Sequence, residues 1–184
     1  MICQGECKSE RLRDLSEEIR VCLRCYGKFR GLPDVDRVRI RDWYLHGPWF
    51  FPPDESGVKG FFGAGDTMFV CPRPSTGSFD DAGSKLFYNL LKKYGFSDAH
   101  LTDMIKCRSK AGKMSSLEVQ NCLPFLIKET EILKPHRIIA VGDEVYQDLK
   151  NLFDNVKQIY HYSYAHRYGK ADKLEMQLRR LSEE

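Results

Sequence analysis

Residues 82–105 of this chain, AGSKLFYNLLKKYGFSDAHLTDMI, decide its fold class. Apolar side chains recur every three to four positions across 82–94, which predicts an amphipathic helix, and Gly95 is a typical helix end. The run HLTDMI at 100–105 then predicts a strand. A helix that leads directly into a strand is a repeating unit of α/β proteins.

The same alternation continues on both sides of this stretch. Further short strands are predicted at 68–70, 137–141 and 156–160. Further helices are predicted at 9–21, from the capping box Ser115-Ser116-Leu117-Glu118 to about 133, from 143 to about 153, and at 171–182. Alternating strands and helices indicate a three-layer α/β/α fold, in which helices cover both faces of a four-stranded parallel sheet.

One segment, 31–66, departs from this pattern. It is rich in Gly, Pro and aromatic residues, reads DWYLHGPWFFPPDESGVKGFFGAG from 42 to 65, and has no sustained period of 2 or 3.6 residues. We expect a long ordered loop or wrapping segment, because so many aromatic side chains seldom stay solvated. Residues 1–184 are then predicted to form a single domain that includes this segment.

The composition is that of an ordinary globular protein, with 42% hydrophobic and 30% charged residues in a chain of 184. The net charge of +3 means that any nucleic-acid-binding surface is a local patch. No apolar run approaches the roughly 18 residues that span a membrane, and the opening MICQGE lacks the features of a secretion signal. We therefore expect a cytoplasmic protein without a membrane partner, in which seven reduced cysteines more often bind metal than form disulfides.

Four of the cysteines form two well-separated pairs. Cys22-x-x-Cys25 closes the first helix, and fourteen residues separate Cys107 from Cys122. A four-thiolate metal site needs such pairs, and from the spacing alone zinc and an iron–sulfur cluster are equally open. The alternative is that Cys107 and Cys122 are merely buried thiols. Two further cysteines, in the N-terminal segment, are expected to be free thiols: Cys3 and Cys7.

In parallel sheets a ligand lies beyond the carboxyl ends of the strands. The residues to consider for function are therefore those that directly follow each predicted strand. These are the segments 71–77, 103–113, 142–143 and 161–170.

The order of motifs along the chain resembles a known family. The motifs are EEIRVCLRC, LFYNLL, HLTDMIKCR, LEVQNC, PHRIIAVG and finally H-x-S-x-A. This order is similar to that of the uracil-DNA glycosylase superfamily, closest to its iron–sulfur families, called types four and five. The resemblance covers nearly the whole chain except 31–66, and its most specific parts are KCR at 106–108 and HYSYA at 161–165.

The resemblance implies a DNA glycosylase that carries a 4Fe–4S cluster, with zinc as the alternative metal. The implied cluster ligands are Cys22, Cys25, Cys107 and Cys122. It also implies that the segment Cys71-Pro72-Arg73-Pro74-Ser75 contacts substrate, although only Pro74 matches the family's Gly-Glu-Ala-Pro-Gly loop. Phe79 is the candidate for stacking on a flipped base.

The resemblance also places His161 and Asp103 at the reaction. A glycosylase has to stabilise the negative charge that develops on the departing base, and His161 is the implied hydrogen-bond donor. Asp103 replaces the family's Asn, which reads the uracil edge with one donor and one acceptor. An ionised Asp offers acceptors only, so we expect a base other than plain uracil, such as a modified cytosine in phage DNA, unless burial protonates Asp103. Asp103 could alternatively activate water.

Basic residues follow two of the predicted strands and are expected to contact DNA phosphates, although such charges can also be a merely solvated face. The candidates are Arg108, Lys110, Lys113, Ser163, His166, Arg167 and Lys170. No lysine has a context suited to Schiff-base chemistry, so a monofunctional, monomeric enzyme that leaves an abasic site is expected. Three alternatives stay open: a non-catalytic DNA or damaged-base sensor, a uracil-DNA glycosylase proper, and a zinc-stabilised enzyme of free nucleotides or RNA.

Overall fold

The computed structural model of the chain describes residues 4–25, 38–40, 43–54, 57–74, 81–108 and 114–184. Its strands are β1 (Val38–Ile40), β2 (Trp43–Pro48), β3 (Thr67–Cys71), β4 (His100–Asp103), β5 (Cys107–Arg108), β6 (Arg137–Val141) and β7 (Lys157–Ile159). Its α-helices are α1 (Gln4–Arg20), α2 (Ala82–Lys93), α3 (Ser116–Leu133), α4 (Asp143–Leu149), α5 (Tyr162–Arg167) and α6 (Ala171–Ser182).

The central sheet has the strand order β4-β3-β6-β7, and all neighbouring strands are parallel. Side chains of β3 alternate between its faces, as a period of two requires. Phe69 and Cys71 pack with α2, α5 and α6, whereas Met68 and Val70 pack with α3 and α4. The predicted three-layer α/β/α fold with a four-stranded parallel sheet is thus confirmed.

Local sequence signals fix the helix starts that flank the sheet. The predicted capping box forms at α3: Ser115 accepts from the N–H of Glu118, whose carboxylate accepts from the N–H of Ser115. At α2, the carboxylate of Asp81 accepts from the N–H groups of Gly83 and Ser84. Each cap satisfies backbone donors that a helix start leaves without partners.

The segment 31–66, expected to be a long ordered loop or wrapping segment, contains two strands in its described part. β1 and β2 form an antiparallel pair, and β2 pairs in turn with β5, where Pro48 lies opposite Cys107. A short 3-10 helix follows at Gly60–Phe62. Periodicity could not reveal this sheet because β2 contains Gly-Pro and its partner β5 is only two residues long and distant in sequence.

Two smaller differences concern the second half of the fold. The strand predicted at 100–105 ends at Asp103, and the six-residue helix α5 was not predicted because it is too short to show a helical period. No helix in the described ranges has both the length and the apolar character needed to cross a bilayer.

Packing of α1 on α3 determines where the first two cysteines lie. Leu12, Leu15 and Ile19 of α1 share a buried cluster with Phe125 and Leu133 of α3. Since α1 ends at Arg20, this packing brings the residues that follow it close to Cys122 on α3.

Candidate active site and cysteine cluster

Two predicted site residues, Cys71 and Asp103, lie side by side at the carboxyl edge of the sheet. They are the last residues of β3 and β4 and are partners in the parallel register. Beyond them, the N–H of Met104 donates to the carbonyl of Cys71 at 2.7 Å, and that of Ile105 donates to the carbonyl of Pro72 at 3.0 Å. The segments after the two strands are therefore tied together.

The Asp103 side chain is 4% exposed, and its Oδ1 atom has no hydrogen-bond partner within the part of the chain that the structure describes. Burial raises the pKa of this carboxyl to about 8. The positive charges of Lys106 and Arg73 oppose the rise, and the negative charge of Glu129 adds to it. Burial thus favours the neutral form of Asp103, which offers one donor and one acceptor.

Two buried tyrosines that the sequence did not single out lie close to this carboxyl. Tyr162 stacks on Phe87, with ring centroids 4.9 Å apart, and the hydroxyl of Tyr88 donates to the carbonyl of Pro52 at 2.8 Å. Burial, and next the nearby charges that include Asp103, raise the pKa of both phenols. In the sequence, only the position of Tyr162 between His161 and Ser163 indicated that it could lie near the site.

The thiol of Cys71 belongs to the same buried group. Burial, followed by the charge of Asp103, raises the pKa of Cys71 well above its ordinary value. A thiol kept protonated in this way is a poor nucleophile. Cys71 can therefore shape the wall beside Asp103 but does not supply covalent chemistry.

His161 lies at the carboxyl end of β7 as the N-cap residue of α5. Its Nδ1 atom accepts a hydrogen bond from the N–H of Ser163 at 3.2 Å. Burial lowers the pKa of His161 to about 4, although the charge of Asp81 opposes the shift. The ring is therefore neutral at pH 7, and because Nδ1 accepts, its single proton is on Nε2.

Gly83 allows α2 to approach this turn closely, whereas Gly142 provides a backbone conformation that favours glycine beside it. Gly142, directly after β6, has φ 102° and ψ 161°, and a Cβ added to it would lie 3.4 Å from Cβ of His161. A Cβ on Gly83 at the start of α2 would lie 3.2 Å from Cα of Ser163. The ends of β6 and α2 thus both hold the His161–Ser163 turn in place.

A buried ionic network lies behind Asp103, and the sequence analysis missed it. Nζ of Lys106 donates to Oγ1 of Thr102 and to the carbonyl of Asp103, both at 2.7 Å, and lies 2.8 Å from Oε1 of Glu129. Nε2 of His100 is 3.3 Å from the other oxygen of Glu129. The only sequence signal was the lysine of the KCR motif, since Glu129 is on a helix 23 residues away.

The cysteine cluster, defined as Cys22, Cys25, Cys107 and Cys122, lies on the other side of Lys106. The N–H of Lys106 donates to Sγ of Cys122 at 3.4 Å, and Nδ2 of Asn121 donates to Sγ of Cys25 at 3.3 Å. Burial raises the pKa of Cys122, hydrogen bonding and charge from Lys106 oppose the rise, and the charges of Cys25 and Cys22 add to it.

Cys22, Cys25 and Cys122 are thus within electrostatic reach of one another, and Cys107 is the residue after Lys106. No three His, Cys, Asp or Glu side chains of the described residues converge closely enough to bind one metal ion. Thiolates around a single zinc lie about 3.8 Å apart, given Zn–S distances of about 2.3 Å. An iron–sulfur cluster is likewise held by Cys thiolates, and N–H···S hydrogen bonds tune such clusters. The four thiols are chemically suited to either group.

Several predicted residues lie outside the described residues, namely Cys3, Ser75, Phe79, Lys110 and Lys113, as do the side chains of Cys7 and Arg108. The other basic candidates follow His161 on and after α5. His166 and Arg167 are exposed, whereas Ser163 and Lys170 are half-buried. The structure therefore brings this half of the predicted basic rim next to His161.

The sequence profile described as "Uracil DNA glycosylase superfamily" matches residues 63–183. The chain belongs to the uracil-DNA glycosylase superfamily. This match covers the whole central sheet, Asp103, His161 and two of the four cysteines of the cluster. The family resemblance carried by the motifs is thereby confirmed.

Two relatives are described as type-4 uracil-DNA glycosylases, which agrees with the iron–sulfur branch of the superfamily. The protein from Pyrobaculum aerophilum is 39% identical over 67 residues, covering 35% of this chain and 34% of that protein. The protein from Archaeoglobus fulgidus is 30% identical over 79 residues, covering 41% of this chain and 40% of that protein. The chain thus matches between a third and two-fifths of the length of these curated relatives.

Proposed function

We propose that this superfamily member is a DNA glycosylase that cleaves the N-glycosidic bond of a flipped-out base and leaves an abasic site. The observation that carries the proposal is a neutral His161 whose Nδ1 is occupied, so that Nε2 keeps its hydrogen as a donor. It lies at the same edge of the sheet as the buried carboxyl of Asp103.

The role we assign to His161 is stabilisation of the leaving base. As the bond breaks, negative charge develops on the base, and a donor fixed in advance lowers the barrier without reorganisation. The N–H of Ser163 holds the ring in one tautomer. Since the ring is neutral, it can donate to the base without first having to gain a proton.

The role we assign to Asp103 is reading the edge of the base. In its neutral form the carboxyl has one donor and one acceptor, as an Asn amide does. Its Oδ1 has no partner among the described residues and is available for such a contact. A carboxyl that already carries its proton cannot take one from water, so base reading is favoured over water activation.

This protonation also changes the substrate hypothesis. The expectation against plain uracil requires an ionised Asp103, and burial favours the neutral form. A neutral carboxyl can pair with any base edge that has an adjacent donor and acceptor, as uracil and cytosine do. Because the chain belongs to the uracil-DNA glycosylase superfamily, we propose a pyrimidine substrate. Uracil in base-excision repair and a modified cytosine in phage defence are the two hypotheses to be compared.

The buried lysine beside the site supports a monofunctional reaction. A bifunctional glycosylase needs a free amine to attack the sugar carbon. Nζ of Lys106 instead makes three hydrogen bonds, to Thr102, Asp103 and Glu129, which occupy its three N–H donors. Borohydride treatment during the reaction should therefore trap no protein–DNA adduct.

We propose that the cysteine cluster holds a 4Fe–4S cluster. Bound there, it would join the end of α1, β5 and α3 into one unit. DNA is the proposed partner of a monomeric protein, with Ser163, His166, Arg167 and Lys170 facing its backbone. Arg108, Lys110 and Lys113 stay predictions for the same surface.

The test is base release from oligonucleotides that each carry one candidate base: uracil, hypoxanthine, cytosine, hydroxymethylated cytosine or glucosylated cytosine. We expect at least one pyrimidine to be excised under single-turnover conditions. His161→Ala should slow that step by about 10²- to 10³-fold while DNA binding is kept. His136→Ala, an exposed histidine directly before β6 at the opposite edge of the sheet, is the control and should keep its rate of base release.

A non-catalytic base sensor is the second candidate, because Cys71-Pro72-Arg73-Pro74-Ser75 keeps only Pro74 of the family's Gly-Glu-Ala-Pro-Gly loop and lacks its Glu. Tight binding to a lesion without release of any base, in wild type and His161→Ala alike, would establish the sensor and refute the enzyme.

A further inference from the structure

Three tyrosine rings form a stack that begins at β7 and continues along α5. The ring centroids of Tyr160 and Tyr164 are 6.1 Å apart with an interplanar angle of 17°, and those of Tyr164 and Tyr168 are 4.7 Å apart at 38°. Tyr160 directly follows β7, Tyr164 is in α5 and Tyr168 is its C-cap residue, so the spacing of four residues places the rings of Tyr164 and Tyr168 on one side of the helix. We call Tyr160, Tyr164 and Tyr168 the tyrosine ladder.

Exposure increases along the ladder. Tyr160 packs partly against the core, whereas Tyr164 is 46% exposed and Tyr168 is 58% exposed. In the described part of the chain these two are the only aromatic side chains among the large exposed hydrophobic residues. Aromatic surface left in water does not stabilise the fold, and adjacent rings of this kind indicate a contact with another molecule.

The charges beside the ladder favour a polyanionic partner. Arg167 and Lys170 flank Tyr168, and neither forms an ion pair with any residue that the structure describes. Exposed rings interleaved with unpaired cations match unpaired nucleic acid, in which bases stack on aromatic side chains and phosphates meet basic ones.

The ladder also lies at a suitable distance from the proposed reaction. Tyr164 and Tyr168 follow His161 by three and seven residues, so Tyr168 is about 10 Å along the helix axis. Stacked nucleotides in one strand are about 3.4 Å apart. The ladder is therefore within about three nucleotides of a base held at His161.

We propose that the tyrosine ladder is a stacking platform for unpaired bases that flank the target base on the same DNA strand. This inference rests on the proposed function for the identity of the target site. In an intact duplex both faces of each flanking base are already covered by its neighbours. The platform therefore gives the protein a preference for single-stranded or locally opened DNA.

The test is the fluorescence anisotropy of a labelled oligothymidine, measured as a single strand and as a duplex with oligodeoxyadenosine, so that no candidate base for excision is present. Wild type should bind the single strand more tightly. Tyr168→Ala removes the outer ring and should weaken single-strand binding about tenfold, the loss expected for one base–aromatic stack, and change duplex binding less than about twofold. Tyr164→Ala removes the ring on which Tyr168 packs and should cause a smaller loss in the same direction. Tyr164→Phe and Tyr168→Phe keep the ring and should bind as wild type does. Leu152→Ala, an exposed apolar residue outside α5, is the control.

Because the probe contains no excisable base, its binding is independent of catalysis. If the protein releases no base but shows this binding pattern, the proposed glycosylase activity is refuted and the proposed role of the tyrosine ladder is supported. Alanine variants with wild-type affinity for the single strand would overturn the ladder and would leave a protein contact as its role. An equal loss in the phenylalanine variants would also overturn it, because the ring would then not be the binding element. Circular dichroism checks that each variant is folded. If Tyr164→Ala does not fold, Tyr168→Ala, at the end of α5, provides the test.

Discussion

The ammonium group of Lys106 lies 2.8 Å from a carboxylate oxygen of Glu129, and the two side chains are only 2% and 0% exposed. The same lysine binds the carbonyl of Asp103 through its side chain and Sγ of Cys122 through its backbone N–H. Lys106 therefore links the ion pair to the proposed base-reading strand and to the cysteine cluster through these two hydrogen bonds.

Removing one member of this pair should be costly. Lys106→Met leaves the carboxylate of Glu129 buried without its cation, and we expect a loss of about 3–5 kcal/mol in the free energy of unfolding. The measurement is denaturant unfolding. Lys128→Met is the matched control, because its pair with Glu18 is about half exposed and should be worth less than about 1 kcal/mol. A similar small loss in Lys106→Met would contradict the structural role.

The pH dependence of base release should report on Asp103. The pKa of about 8 predicts that release falls as the pH rises through 8, because ionisation removes the donor. Asp103→Asn keeps a donor and an acceptor but does not titrate, so the decline should disappear. Asp103→Leu, which has neither group, is the control and should be slow at every pH. An alkaline decline that persists in Asp103→Asn would assign it to another group.

Asp103 should also make stability depend on pH in a defined direction. Its folded-state pKa is raised above the unfolded value of about 3.9, so between the two values the folded chain holds a proton that the unfolded chain has lost. Stability must then fall as the pH rises from about 4 to about 8. Denaturant midpoints across this range should show a flatter dependence in Asp103→Asn than in wild type.

Gly142→Ala should slow base release through the position of His161. The dihedral angles of Gly142 lie in a region that is almost exclusive to glycine, and we expect a cost of about 1–3 kcal/mol in stability together with slower release. Gly95→Ala is the control, because Gly95 also has a positive φ, 78°, but a Cβ there would meet nothing within 4 Å. Slower release in both variants would attribute the effect to instability alone.

Cys107→Ser should abolish the proposed iron–sulfur cluster. We expect loss of the brown colour and of acid-labile sulfide, together with reduced thermal stability, since the cluster would join three elements of the fold. Cys71→Ser is the control and should keep its iron, because Cys71 lies in the pocket wall beside Asp103. One zinc and no iron in the purified wild type would refute the cluster.

The features that the sequence predicted well are those encoded locally. The strand at 137–141 and the capping box at 115–118 depend on adjacent residues and appear where expected. The pairing of β2 with β5 was not predicted because it joins residues about sixty positions apart. The Lys106–Glu129 pair escaped for the same reason.

The candidate site was predicted as a set of residues but not as a chemical state. Motif order placed Asp103 and His161 correctly at the carboxyl edge of the sheet. Their protonation depends on burial, which periodicity does not give. The neutral Asp103 and the Nε2–H tautomer of His161 therefore became visible only with the packed structure.

The hydrogen bond from Ser163 to His161 belongs to the first turn of α5, the helix that also carries Tyr164 and Tyr168. If this turn frayed, His161 would no longer be held in one tautomer, and the rings of Tyr164 and Tyr168 would lose their orientation at the same time. If both proposed sites are correct, base release and single-strand binding should therefore be lost together when α5 frays.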